Sequence, residues 1–111
     1  MMHNAKAALN LGGNYEKQKK YELAEKYYKM AIEYGDKEEA SYNLAFLYQT
    51  MGKPELMEAY LATESGKNNS AEVLYNLALS YDNAGNKENA EKYYKQAIEK
   101  GQSTKAMKNL A

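Results

Sequence analysis

The residue types that usually carry catalysis are scarce in this chain. His3 is the only histidine, and cysteine does not occur. Metal ligation and nucleophilic catalysis both need several His, Cys or carboxylate side chains in a fixed arrangement. We therefore predict no catalytic residue, no metal site and no cofactor, and we expect a protein that is not an enzyme.

Two Gly-Lys pairs, Gly52-Lys53 and Gly66-Lys67, come closest to a phosphate-binding loop. A P-loop carries a first glycine five residues before the second, because its backbone must wrap closely around the phosphates. Leucine stands at that place before both pairs, and no Ser or Thr follows either lysine. Neither pair predicts a nucleotide site.

Charge and hydropathy narrow the possible partners. The chain has 111 residues with 15 basic and 15 acidic side chains, so its formal net charge is zero. It lacks the positive field that sequence-independent nucleic-acid binding requires, and its apolar runs are much shorter than a membrane span. The first ten residues contain no apolar segment of signal-peptide length. We expect no nucleic-acid partner, no membrane partner and a cytoplasmic location.

One block of sequence recurs at a fixed interval of 33 residues. Its best copy is Asn76-Leu77-Ala78-x-x-Tyr81, which matches Asn43-Leu44-Ala45-x-x-Tyr48 and Asn10-Leu11-Gly12-x-x-Tyr15, and begins again at Asn109-Leu110-Ala111. A second block, residues 24–29, returns unchanged as residues 90–95. Repetition at such a period is typical of stacked structural units that bury their apolar faces against one another.

Both blocks have the spacing of amphipathic helices. Apolar residues recur at intervals of three, four and seven, and helix-forming residues dominate. Gly35 and Gly101 are expected to end helices in a left-handed conformation, Asp36 with Glu39 to form a capping box, and Pro54 to begin a helix. The sequence thus predicts an all-α protein of about seven helices, near residues 5–18, 21–34, 37–51, 54–65, 70–84, 87–100 and 104–111.

The spacing resembles that of the tetratricopeptide repeat, whose pattern is W-x2-L-G-x2-Y followed by A-x3-F. The matching residues are Ala8-x2-Leu11-Gly12-x2-Tyr15 with Ala24-x3-Tyr28, and Leu74-x2-Leu77-Ala78-x2-Tyr81 with Ala90-x3-Tyr94. The Trp and the closing Pro are missing, each repeat is one residue short, and the inter-repeat turns resemble those of Sel1-like repeats. The resemblance implies a single domain over residues 1–111, a right-handed α-solenoid of antiparallel helix pairs, with repeats at about 5–37, 38–70 and 71–103 and a fourth begun at 104–111.

The repeat also predicts how the helices pack. Small residues (Gly12, Ala45 and Ala78) allow the paired helix to approach, while the Leu and Tyr of each block fill the space between helices. The middle repeat departs from this, with Met57 and Glu64 where the other repeats have alanine. We predict a shortened second helix and altered curvature there; the alternative is ordinary drift between repeats.

In tetratricopeptide repeats the first helix of each pair lines a concave groove that binds peptides, and the resemblance implies the same here. The candidate peptide-binding residues are Leu9, Gly13, Glu39, Tyr42, Asn43, Phe46, Gln49, Glu72, Tyr75, Asn76, Leu79 and Asp82. Of the carboxylate clamp found in chaperone-binding relatives only Asn43 is matched, so an acidic chaperone tail is not the expected ligand.

Four of these residues, Tyr42, Phe46, Tyr75 and Leu79, form an apolar-aromatic strip edged by acidic side chains. Such a strip suits an amphipathic or extended peptide that carries a basic residue. The alternative is that these side chains pack within the solenoid, because repeat stacking uses apolar faces first.

Three hypotheses for function follow. The first is a non-enzymatic scaffold that binds a peptide segment of a protein partner in the concave groove. The second is a structural protein whose exposed repeat ends self-associate, giving a homo-oligomer. The third, which the acidic groove residues disfavour, is an RNA-binding helical repeat.

Overall fold

The computed structural model describes residues 3–63 and 70–101, and every regular element in these two stretches is an α-helix. The all-α prediction is confirmed. Each of these helices begins and ends within one residue of its predicted bounds, except the fourth. The six helices are α1 (Ala5–Lys17), α2 (Tyr21–Glu33), α3 (Lys37–Thr50), α4 (Pro54–Leu61), α5 (Ala71–Asn83) and α6 (Lys87–Gly101). The predicted seventh helix lies outside the described residues.

The helices form three consecutive pairs, each of a first helix (α1, α3 or α5) and a second helix (α2, α4 or α6). The turns within the pairs have only three residues, 18–20, 51–53 and 84–86, so the second helix folds back along the first. Between pairs, α3 packs against both α2 and α5. This order agrees with a stack of helical repeats, while the right-handed sense of the solenoid remains a prediction.

The same backbone motif ends all three first helices. The amide of Lys53 donates to the Tyr48 carbonyl at 2.9 Å, and that of Asn86 donates to the Tyr81 carbonyl at 2.9 Å. The residue before each donor is a glycine with positive φ, 72° at Gly52 and 84° at Gly85. These are the six-residue hydrogen bond and left-handed residue of a Schellman motif. The first pair closes in the same way with Lys19 at φ 61°, where a side chain is less favourable than glycine.

The structure confirms some of the predicted helix-end features and contradicts others. Gly35 has φ 115°, which confirms the left-handed turn after α2. The capping box at α3 is wrong, because the Asp36 side chain makes no capping hydrogen bond and its carboxylate lies 3.5 Å from the Lys6 ammonium instead. Pro54 occupies the first turn of α4, as predicted.

Gly101 does not end α6 in a left-handed turn, contrary to the prediction. It is the last residue of α6, and only Gly35, Gly52 and Gly85 have positive φ among the described glycines. A Cβ at Gly101 would lie 2.6 Å from the Cβ of Ala71. The structure therefore uses this glycine for the close approach of α6 to the start of α5.

The core lies between the helices and is built from the recurring residues. Leu44, Leu77 and Tyr48 are at most 1% exposed. A Cβ at Gly12 would lie 2.7 Å from the Tyr28 ring and 3.4 Å from the Ala24 carbonyl oxygen, which confirms the predicted close approach in the first pair.

Leu11 was expected to be buried like its counterparts in the other repeats, and this is wrong. Its side chain is 36% exposed, against 0% for Leu44 and 1% for Leu77. A preceding helix pair packs against α3 and against α5, whereas α1 is the first helix that the structure describes. The same residue type at the same repeat position therefore has a different environment.

The second helix of the middle pair is short, as predicted. α4 has 8 residues, against 13 in α2 and 15 in α6. Met57 at the alanine position of the other repeats is 1% exposed and belongs to the core. Altered curvature at this point remains a prediction, and Glu64 lies outside the described residues.

Candidate functional site

The first and the last helix pair of the described stack each contain a hydrogen bond from a tyrosine to a carboxylate, at equivalent positions of the repeat. In the first pair the Tyr28 hydroxyl donates to Glu16 Oε1 at 2.6 Å, and in the third pair the Tyr94 hydroxyl donates to Asp82 Oδ2 at 3.0 Å. Each bond joins the first helix of a pair to its second helix. The first and third pairs therefore share a polar bond across the pair as well as their apolar contacts.

A second set of such bonds joins one pair to the next. Tyr48 donates to Glu25, and Tyr81 donates to Glu58 Oε1 at 3.1 Å, each bond running to the second helix of the preceding pair. Glu58 also accepts from Tyr93. Sequence reasoning missed these carboxylates, although glutamate recurs at positions 25, 58 and 91 in step with the repeat.

Burial and these carboxylates raise the pKa of the bonded tyrosines. The pKa of Tyr81 rises to about 12, first because of burial and then because of its hydrogen bond to Glu58. The pKa of Tyr94 rises to about 12 through burial and its bond to Asp82. Both phenols remain protonated donors at neutral pH, so they are structural and carry no reactive charge.

The most accessible apolar surface on the first helices is made by Tyr42 and Phe46, which we call the aromatic pair. Tyr42 is 41% exposed and Phe46 is 50% exposed. They stand four residues apart on α3 and therefore share one face of the helix. The alternative, in which the strip residues pack within the solenoid, is therefore wrong for Tyr42 and Phe46.

The other residues of the predicted strip are less accessible. Leu79 is half-buried, and Tyr75 is half-buried with its ring 6.1 Å from that of Tyr94. In the first repeat, Leu9 is 5% exposed and lies in the core, while Gly13 is half-buried and has no side chain. The strip is thus centred on α3.

The amide side chains in the predicted set are only partly accessible. Asn43 and Gln49 are half-buried. Asn76 is 6% exposed, and its Nδ2 has no hydrogen-bond partner among the residues that the structure describes. Among the predicted residues, these three are the polar groups placed beside the strip.

Two of the acidic side chains predicted to edge the strip already have internal partners. Asp82 accepts from Tyr94 and lies 2.5 Å from the Lys87 ammonium; the hydrogen bond from Lys87 is the main cause of its lowered pKa. Glu39 lies 2.9 Å from the ammonium of Lys6, whose pKa this contact raises. Since both lysines are largely exposed, these are surface ion pairs that contribute little to stability.

A pocket of about 460 Å³ opens between the beginnings of α3 and α5, next to Tyr42. Four of its six lining residues carry a carboxylate and none is a lysine. We call it the acidic pocket; it is lined by Asp36, Glu38, Glu39, Tyr42, Ser70 and Glu72. Three of the predicted residues, Glu39, Tyr42 and Glu72, are brought together here.

Over residues 3–63 and 70–101, no group of His, Asp or Glu side chains has an arrangement that could hold a metal ion. Within the same residues, no helix combines the length and apolar character needed to cross a membrane.

Comparison with known proteins identifies the repeat. The model of a family described as tetratricopeptide repeat matches residues 5–34 and residues 71–99. These segments correspond to the first and third helix pairs and together cover more than half of the chain. A search of curated proteins found no match.

Proposed function

Because this chain belongs to the tetratricopeptide repeat family, we propose that its first-helix face binds a peptide segment of a protein partner. Members of the family generally mediate protein–protein interactions and are typically non-enzymatic scaffolds. The proposed surface consists of the accessible residues among the first-helix residues predicted above, centred on α3, and acts by holding the partner without chemical change.

The exposure of the aromatic pair is the observation that carries this proposal. Large aromatic side chains that remain 41% and 50% exposed on a folded domain leave apolar area in contact with water that a partner would bury. Aromatic residues are enriched at the centres of protein interfaces and often supply most of the binding energy. Half-buried Tyr75 and Leu79 extend the apolar area onto α5.

The test is loss of peptide binding on replacement of the aromatic pair. A displayed library of random 12-residue peptides is selected on the immobilised protein, and the affinity of an enriched peptide is measured by fluorescence anisotropy. We expect Tyr42→Ala/Phe46→Ala to weaken binding at least tenfold, because each side chain at an interface centre contributes about 1 kcal/mol or more. Helicity, followed by circular dichroism, should not change.

The matched control is Leu11→Ala/Leu23→Ala. These two leucines are 36% and 39% exposed but lie outside the proposed surface, so their loss should leave the affinity unchanged. The proposal is contradicted if the aromatic-pair variant binds every enriched peptide as tightly as the unmodified protein does.

A second candidate function is end-to-end assembly into a homo-oligomer. The exposure of Leu11, whose counterparts Leu44 and Leu77 are buried by a preceding pair, favours it because another repeat stacked on α1 would cover this side chain. Light scattering over a range of protein concentrations tests this candidate. Assembly requires a mass that rises with concentration, and a constant monomer mass argues against it.

A further inference from the structure

The acidic pocket and the aromatic pair form one continuous surface, since Tyr42 belongs to both. The pocket brings four carboxylates into a space of about 460 Å³, comparable to a small-ligand site. Carboxylates that share a small space repel one another, and a cation placed among them is attracted to all of them. The charge of the pocket therefore selects for a positively charged occupant.

The chain itself shows an ammonium group bound at the edge of this pocket. The Nζ atom of Lys6 lies 2.9 Å from Glu39 Oε1 and 3.5 Å from Asp36 Oδ2, although Lys6 is about 30 residues away in sequence. The Lys6 side chain is 69% exposed, so water screens this contact and it is weak. A partner's cation can therefore compete with Lys6 for the same two carboxylates.

Glu38 adds a further carboxylate to the pocket. It lines the pocket and is exposed, and no ion pair or hydrogen bond joins its side chain to the part of the chain that the structure describes. Tyr42 supplies an aromatic ring beside these carboxylates, and the face of such a ring attracts Lys and Arg. Carboxylates and an aromatic face together match the chemistry of a basic side chain.

We infer that the acidic pocket is a subsite for a lysine or arginine side chain of the bound peptide, and that Lys6 competes with this side chain for Glu39 and Asp36. The inference rests on the proposed function, since it assumes that the peptide lies across the aromatic pair. It specifies the partner further: the segment places a basic residue next to the apolar residues that cover Tyr42 and Phe46.

The first test removes charge from the pocket. The probe is a library peptide whose binding depends on the aromatic pair, and we expect it to contain Lys or Arg. Glu38→Gln/Glu39→Gln should weaken its binding on the order of fivefold, because two carboxylates that attract its basic residue are lost. Replacing that basic residue by alanine in the peptide should remove the difference between the two proteins.

The matched control is Glu22→Gln/Glu88→Gln. All four glutamates lie in the first turn of a helix, so both variants lose the same net charge and the same favourable interaction with a helix N-terminus. Glu22 and Glu88 are on second helices, away from the pocket, and their variant should bind normally.

The second test measures a gain in affinity for the peptide, which a misfolded variant would not show. Lys6→Ala removes the internal competitor and should tighten binding of the basic peptide about twofold at low salt, with a smaller effect at high salt because the charges are then screened. Lys17→Ala removes one exposed lysine from the same helix and should have no comparable effect.

The outcomes separate the subsite from the proposed function. If peptides that depend on the aromatic pair lack Lys and Arg, or bind the Glu38/Glu39 variant as tightly as its control, the subsite is wrong while the peptide-binding surface stands. Unchanged affinity of a basic peptide for the Lys6 variant would overturn the competition. If no enriched peptide depends on the aromatic pair, the proposed function fails and the subsite fails with it.

Discussion

Replacing Met57 by alanine is expected to lower the free energy of unfolding by about 2–5 kcal/mol, the usual range when a buried methionine is truncated. The substitution brings the middle repeat into agreement with the other two, which have Ala24 and Ala90 at this position. A comparison of the repeats alone would therefore predict a neutral or stabilising change. The structure predicts the opposite, because Met57 is 1% exposed and is among the largest fully buried side chains.

The reason lies in the shape of the middle pair. α4 has 8 residues and supplies fewer core residues than α2 or α6: Met57 and Tyr60 are the buried ones. Met57 is therefore a large part of the little core that α4 supplies, and its removal leaves a cavity that the packed neighbours close only in part. The converse substitution, Ala24→Met, should also destabilise, by about 1–3 kcal/mol, because Ala24 is 0% exposed and lies where α1 and α2 approach closely.

Urea unfolding followed by circular dichroism measures both changes. Met57→Leu keeps the volume and should cost less than about 1.5 kcal/mol, which separates cavity formation from a general intolerance of the site. An alanine variant as stable as the unmodified protein would mean that α4 can move inward and close the space.

The helices themselves could be predicted because their signals are local. Apolar spacing, Pro54 and Gly35 act within a turn or two of the chain, and the 33-residue period repeats the apolar spacing three times. The wrong predictions concern residues whose environment is set by distant parts of the chain. Asp36 was assigned to a local cap, yet its carboxylate faces Lys6 from another helix pair.

The sequence predicted the positions of the candidate site residues on their helices better than it predicted their exposure to solvent. The helical spacing placed Leu9 and Tyr42 at equivalent positions of successive repeats, but Leu9 is 5% exposed and Tyr42 is 41% exposed. Spacing gives the face of a helix on which a side chain lies, whereas exposure depends on the neighbouring pairs. The bonds from Tyr48 to Glu25 and from Tyr81 to Glu58 could in principle have been predicted from the sequence. From the first bond to the second, the tyrosine and the glutamate both move by 33 residues, which is the period of the repeat.

Leu44→Ala is expected to lower the free energy of unfolding by about 2–5 kcal/mol, while the equivalent Leu11→Ala should cost less than about 1 kcal/mol. Both leucines follow an asparagine in the same repeated block, so a rule based on the repeat pattern assigns them equal importance. Leu44 is 0% exposed and Leu11 is 36% exposed. The truncation removes apolar area from a packed interface in one case and from a partly hydrated surface in the other.

The same unfolding experiment compares the two variants, and the pair serves as its own control because residue, substitution and repeat position are identical. The difference between them measures how much a preceding helix pair contributes at this position, since α3 has such a pair packed against it and α1 is the first helix that the structure describes. Equal losses at dilute protein concentration would contradict this account and would mean that Leu11 is as well packed as Leu44. A Leu11→Ala cost that grows with protein concentration would instead favour end-to-end assembly, because association would then bury the leucine that the isolated chain exposes.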